Sequence, residues 1–174
     1  MQLVKALVSA HDELASWRQH LHQNPEIAYE EKDTSDFVAA KLESFGVGVH
    51  RGFGGTGLVG VIKGNLGEPE SSKAIGLRAD MDALPMSEET NLAYASQRPG
   101  RMHACGHDDH TTMLLAAARH LAETRDFHGT IYCIFQPAEE GGSAGARLMI
   151  KDGLFEKFHM DSVWGMHNWP GLEV

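Results

Sequence analysis

The sequence predicts an α/β fold: a mixed, largely parallel β-sheet flanked by helices. Three observations lead there. Short runs dense in β-branched, aromatic and aliphatic residues, AIGLR (74–78), TIYCIFQ (130–136) and DSVWGM (161–166), alternate with stretches of helical period, the pattern of strands joined by crossover helices. Each run leads into acids or a histidine: Asp80 and Asp82, then Glu139 and Glu140, then His167. Finally, 174 residues that are 42% hydrophobic and 22% charged suffice for one domain with a sizeable core.

The elements follow in chain order. Leu3, Leu7, Leu14, Trp17 and Leu21 share a helical face. Pro25 disfavours helix at Asn24, so this first helix should end near residue 23. A second helix is expected over about 30–45, with Phe37, Val38, Leu42 and Phe45 as its stripe and Gly46 as its stop. Residues 47–51 and 58–63 read as strands on either side of GFGGTG. That turn lacks the Lys-Ser/Thr ending of a phosphate loop and leads into a strand rather than a helix, so nucleotide binding is not expected. NLGEPESSK (65–73) reads as a polar surface loop. The three later apolar runs read as buried strands, with helices over 111–122, reaching back to about 109, and over 144–151. Ligands of such sheets bind outside the carboxyl ends of the strands, where the acids and His167 fall.

The charge balance, 15 basic against 24 acidic residues for a net −9, has no basic block and argues against nucleic acid or anionic membrane as the main partner. Two cysteines, Cys105 and Cys133, cannot form a disulfide framework and are expected to be free thiols, Cys133 as a small core residue. The apolar start is interrupted by His11, Asp12 and Glu13, so no signal peptide is read, and no apolar run approaches 18 residues. A cytoplasmic location is the expectation.

Histidine is the outlier, with 11 in the chain. The densest cluster is HACGHDDH (103–110). In an extended segment Cys105 and His107 would point the same way and could meet one cation, with Gly106 letting the backbone approach; so short a spacing also arises by chance. The adjacent carboxylates Glu139 and Glu140 can divide two roles, metal ligand and base, or can be two solvated residues at a turn. His167 is compatible with a ligand or a structural hydrogen-bonder. Asp80 and Asp82 fit one side of an extended segment, a solvated loop or a helix cap. His11, His50, His120, His128 and His159 have no patterned acidic or thiol neighbour and read as surface or ordinary packing.

Five stretches taken in order, WRQHLHQNPEIAYEE (17–31), IGLRADMDALPM (75–86), MHACGHDDHTTMLLAAA (102–118), IFQPAEEGGSAGARLMI (134–150) and WGMHNWP (164–170), run nearly the whole chain. Together they resemble the amidohydrolase branch of the aminoacylase/carboxypeptidase metallopeptidase superfamily, which includes hippurate hydrolases and indole-acetyl-amino-acid hydrolases. The resemblance implies hydrolysis of an N-acyl amino acid with water activated by two divalent ions, Mn²⁺ or Zn²⁺. It implies Cys105, His107, Glu140 and His167 as metal ligands, Glu139 as general base, and Asp82 as an orienting catalytic residue. Asp80, standing where many members carry a metal-binding histidine, is implied as a support to the ligands.

Members of that family are considerably longer. The resemblance therefore implies that residues 1–174 are the N-terminal part of a catalytic domain. A lid domain that mediates homodimer formation, the rest of the catalytic domain and one more ligand histidine would be absent. Two other readings compete: a metal-free cysteine hydrolase with Cys105 as nucleophile and His107 as base, and a metal-binding but inactive fragment.

Overall fold

The computed structural model describes residues 4–67, 73–169 and 171. Two helices, α1 (Lys5–Ser9) and α2 (His11–Gln23), are followed by α3 (Lys32–Ser44) and by the hairpin of β1 (Gly48–Phe53) and β2 (Gly57–Lys63). Then come β3 (Ala74–Asp80), α4 (His107–Thr124), β4 (Thr130–Gln136), α5 (Gly145–Lys151), α6 (Leu154–Lys157) and β5 (Ser162–Gly165).

The five strands form one mixed sheet in the order β1-β2-β4-β3-β5. The three strands that carry the acids and His167 are mutually parallel, β3 lying between β4 and β5. The β1-β2 hairpin is antiparallel, and β2 runs antiparallel to β4. With Asp80 level with Gln136 and Arg78 level with Gly165, the carboxyl ends of the parallel strands open on a single edge.

Alternation of side chains sorts two cores onto the two faces. Leu58 and Ile62 of β2 and Cys133 and Phe135 of β4 bury against Trp17, Val38, Leu42, Leu115 and Ala118 of α2, α3 and α4. Val59 and Ile134 face the other way, onto Phe53, Met149, Leu154 and Phe158 beside α5 and α6. Cys133 is a free thiol within the first core, as its place in an apolar strand predicts. Among the described residues no helix is long and apolar enough to cross a membrane.

Several expectations shift. The first helix ends at Gln23 as predicted but is broken at Ala10, whose backbone leaves helical geometry; Leu3 lies outside the described residues. The second helix starts at Lys32, because Tyr29 has a positive φ of 65° and Glu31 is non-helical. Most of the polar stretch 65–73 also falls outside the described residues. The run 161–166 is not buried. β5 is an edge strand, with Val163 45% and Trp164 65% exposed. Its composition reads as core, but burial needs a covering neighbour on each face.

The long irregular stretch from 81 to 106 is tied down by charge. His22 is buried with Asp108 Oδ2 2.8 Å from its Nδ1 and Glu88 Oε1 3.2 Å from its Nε2. Carboxylates at both ring nitrogens favour the imidazolium: the Asp108 hydrogen bond raises its pKa, and burial only partly opposes this. Because the folded value lies above the unfolded one, the stabilisation is fully present below about pH 6.5 and is lost as pH rises through the folded pKa. His22→Gln should therefore cost about 3 kcal/mol in mildly acid solution and progressively less toward alkaline pH. Thermal unfolding from pH 5 to 9 checks this, and a gap independent of pH would contradict it.

Candidate metal centre

The site is assembled where β3, β4, β5 and the start of α4 meet. β3 delivers Asp80, and two residues on the chain places Asp82; both are buried. Asp82 pins the acidic turn after β4, its Oδ1 accepting the Glu139 N–H at 3.0 Å and its Oδ2 the Glu140 N–H at 2.9 Å. Burial raises its carboxyl, but these bonds and the nearby His107 outweigh that and hold it below the usual range.

The acidic turn has a second anchor. Ala138, with a positive φ of 51°, directs its N–H to Glu31 Oε1 at 2.8 Å, and Thr56 Oγ1 donates to Glu31 Oε2 at 2.7 Å. The turn also packs so close to α5 that a Cβ on Gly145 would lie 1.8 Å from the Pro137 carbonyl oxygen. Glu31 is fully buried, and replacing it with alanine leaves the buried Ala138 N–H and the half-buried Thr56 hydroxyl without their partner. Glu31→Ala should lower stability by about 2–4 kcal/mol in urea unfolding; a loss below about 1 kcal/mol would show that the turn does not depend on it.

Cys105 and His107 converge differently from the extended pairing expected. α4 begins at His107 itself, and Gly106 turns the chain with φ of 90° just before it. His107 is completely buried, its Nδ1 3.3 Å from Asp82 Oδ1 but off the line of a full hydrogen bond. Its Nε2 lies 3.7 Å from Glu140 Oε1, 3.7 Å from Asp80 Oδ2 and 3.9 Å from Glu139 Oε2. His167, on the loop after β5, comes within 3.4 Å of Cys105 Sγ through its Nε2.

Three sets of donor atoms lie within 4.8 Å of one another: Cys105, His107 and His167; His107, Glu139 and Glu140; and Asp80, His107 and His110. In the third, His110 is already engaged at both nitrogens, by Asp80 Oδ1 at 2.6 Å and by Asn168, and Asp80 Oδ2, though it makes no aligned hydrogen bond, is ion-paired with Arg78 Nη1 at 2.6 Å. The first two contain no such cation. His107 Nε2 and Glu140 Oε1 are buried without a hydrogen-bond partner among the described residues. Leaving such atoms unpaired costs about 1–3 kcal/mol each or more. Two donors about 2.0–2.3 Å from one tetrahedral ion stand about 3.3–3.8 Å apart, a range that includes the 3.4 Å and 3.7 Å spacings here. Thiolate, imidazole and carboxylate at that spacing suit Zn²⁺ or Mn²⁺, so the residues fit the implied metals.

Without a cation the carboxylates set the local field. Burial pushes the Cys105 thiol up, and Glu140, Asp80 and Glu139 add to this, to about 12. Burial also raises Asp80, but the His110 hydrogen bond and the charges of His107 and Arg78 prevail and hold it at about 2. For His107, burial lowers the pKa and the surrounding carboxylates, led by Asp82, more than offset it. Beside Cys105 and His167 lies a cavity of about 280 Å³, lined by Arg18, His22, His103, Asp108 and Trp169 among others. His103 is buried with no partner at either nitrogen among the described residues, and burial holds its pKa down at about 4.

All seven candidate residues thus face one edge of the sheet. Glu139 is the more open of the acid pair, with its side chain 43% exposed against 20% for Glu140. The five histidines read as surface or packing residues belong to none of the three donor sets. The cluster 103–110 flagged His103 and His110 without giving either a role, and sequence spacing gave no reason to single out Glu31, His22 or Asn168; all of these but His103 make contacts that shape the site or its supports.

Comparison with known proteins fits this geometry. The model of "Peptidase family M20/M25/M40" matches residues 76–174, more than half the chain. Among curated relatives, a hippurate hydrolase of Campylobacter jejuni is 51% identical over 170 residues, covering 98% of this chain and 43% of its own length. An N-acetyl-L-cysteine deacetylase of Bacillus subtilis is 45% identical over 163 residues, covering 93% of this chain and 38% of its own length. Among solved structures, the Bacillus subtilis YXEP protein, described as a dinuclear metal binding peptidase from the M20 family, superposes with a TM-score of 0.86 at 38% identity. That match covers 94% of this chain and 45% of YXEP. The chain therefore spans well under half the length of these relatives. On the extent of the family match and the shared catalytic-domain fold, the chain belongs to peptidase family M20/M25/M40.

Proposed function

We propose that this chain carries the metal centre of an amidohydrolase that cleaves the amide bond of small N-acyl amino acids. One observation carries the reading: buried, unpartnered donor atoms of His107 and Glu140 stand 3.7 Å apart beside the Cys105–His167 pair. Cys105, His107, Glu140 and His167 would hold two divalent ions, Mn²⁺ or Zn²⁺. When bound, such ions polarise a carbonyl and lower the pKa of water from 15.7 toward about 7.

The protein side chains divide the remaining work. Glu139, the more open acid, takes a proton from the attacking water and returns it to the leaving amide nitrogen. Asp82 holds both glutamate N–H groups and so fixes the direction in which each carboxylate points. The cavity beside Cys105 has room for part of a small substrate. The names of the relatives, hippurate hydrolase and N-acetyl-L-cysteine deacetylase, support the N-acyl amino acid class. Their greater length accords with residues 1–174 as the N-terminal part of a catalytic domain, in a protein that dimerises through a separate lid. The unpaired thiols Cys105 and Cys133 suit a reducing cytoplasm.

Two features disfavour a cysteine nucleophile. Cys105 Sγ has His167 Nε2 as its hydrogen-bond partner, whereas neither nitrogen of the proposed base His107 has one among the described residues, and the carboxylates around the thiol oppose its ionisation. The exposed edge of β5 next to His167 favours a second reading for these 174 residues by themselves, metal binding without efficient turnover. Metal analysis paired with assays on hippurate and N-acetyl amino acids separates the two. Turnover that is abolished by chelation and restored by Mn²⁺ or Zn²⁺ is expected of the hydrolase, whereas bound metal without turnover fits the second reading. Turnover that survives exhaustive chelation would overturn both.

A further inference from the structure

His167 stands on an exposed loop beyond an edge strand, yet a ring that donates to a metal must be fixed in direction and tautomer. A chain of contacts leads from the sheet to that ring. Asp80, ion-paired through Oδ2 with Arg78, has its Oδ1 2.6 Å from His110 Nδ1. The backbone N–H of Asn168 donates to His110 Nε2 at 3.0 Å, and the Asn168 side-chain oxygen Oδ1 lies 2.8 Å from the same nitrogen. His167 Nδ1 is 2.6 Å from the Asn168 carbonyl oxygen.

These contacts assign the protons. The ionised Asp80 can only accept, so His110 carries a proton on Nδ1, while its Nε2 meets both the Asn168 N–H and the Asn168 side-chain oxygen. A carbonyl oxygen can only accept, so His167 carries its proton on Nδ1 and presents the lone pair of Nε2 toward Cys105 Sγ, 3.4 Å away. The Asn168 backbone is thereby held at its N–H by one histidine and at its carbonyl by another. Its side chain adds a brace, with Nδ2 3.2 Å from Asp109 Oδ2 and so close to Gly106 that a Cβ there would lie 2.4 Å away.

We propose that Asp80, His110 and Asn168 form a hydrogen-bonded strut that sets the direction and tautomer of His167, making His110 and Asn168 positioning residues for the metal centre. The inference rests on the metal reading above. It also gives Asp80 and His110 a task other than ligation, since the nitrogens of His110 are spent on the strut.

The test is zinc affinity, measured by competition with a chromophoric chelator, for the wild-type protein and three variants. His110→Asn keeps a donor for Asp80 but offers nothing at the Nε2 position; it should weaken zinc binding by about 10–100-fold. Asn168→Ala keeps the backbone N–H and carbonyl but removes the side-chain brace, so it should weaken binding less than His110→Asn, while His167→Ala should weaken binding at least as much as His110→Asn. Unchanged affinity in His110→Asn alongside weakened His167→Ala would overturn the strut and leave the metal reading intact. A wild-type protein that binds no zinc would overturn both. Should His110→Asn fail to fold, long-range ¹H–¹⁵N spectra of the metal-free wild type decide: His110 and His167 should both be protonated at Nδ1, and His167 protonated at Nε2 would overturn the strut.

Discussion

Glu139→Gln is expected to keep its metal and lose turnover by about 10²–10⁴-fold, the usual contribution of a positioned proton-transfer group. The substitution preserves shape and removes the base, and the Glu139 side chain, at 43% exposure, has no buried orphan atom that the change would disturb. Glu140→Gln should instead lose the metal, and turnover with it. Its Oε1 is buried, lacks a hydrogen-bond partner among the described residues and faces His107 Nε2, so loss of its charge should show first as lost metal. Metal content by elemental analysis, set beside turnover of an N-acyl amino acid, separates the two acids. Equal metal content with equal activity in both variants would refute the division of roles.

Asp82→Ala is expected to damage stability and metal binding together. The carboxylate is buried, accepts two backbone N–H groups and lies 3.3 Å from the His107 ring. Removing it orphans two donors at about 1–3 kcal/mol each, so a loss of roughly 2–6 kcal/mol should appear in denaturant unfolding. With the acidic turn freed and His107 unsupported, metal affinity should fall by about 10–100-fold. The pH profile adds a sign. Because the folded carboxyl is held below its unfolded value, its stabilisation is present above about pH 4 and is lost as pH falls through the folded pKa. The wild-type advantage over Asp82→Ala should therefore shrink in strong acid, and a constant difference down to pH 2 would contradict this account.

What could be read from the sequence follows physical lines. β3 and β4 were visible because their residues combine β-forming side chains with short length, and both cores confirm the alternation: Cys133 and Phe135 face one way and Ile134 the other. The edge where the site lies was visible too, since acids and a histidine follow strands that prove parallel and in register. Burial of β5 could not be read, because apolar composition does not say whether a strand has neighbours on both faces. The start of α4, expected at about 109, lies two residues earlier for another reason. His107 and Asp108 look polar and loop-like, yet acids are favourable in a first helical turn, and a glycine of positive φ before them allows an abrupt start.

The supporting contacts were out of reach for a third reason. Asn168 meets His110 across 58 residues, and Glu31 meets Ala138 across 107. Local periodicity carries no information about such pairs, whereas the spacing of Cys105 and His107, or the adjacency of Glu139 and Glu140, flags a site within a few residues. Even there the mechanism of convergence differed from the expectation. A left-handed glycine and a helix start, rather than an extended strand, bring Cys105 and His107 to the same edge.

Anomalous diffraction from crystals of the protein loaded with Zn²⁺ or Mn²⁺, recorded at the absorption edge of the added metal, tests the central claim most directly. The account predicts two peaks at the carboxyl edge of the parallel strands, with Cys105 Sγ, a ring nitrogen each of His107 and His167, and a Glu140 oxygen within about 2.0–2.3 Å of one or the other. Strong peaks elsewhere on the molecule, with these four side chains unliganded, would contradict it.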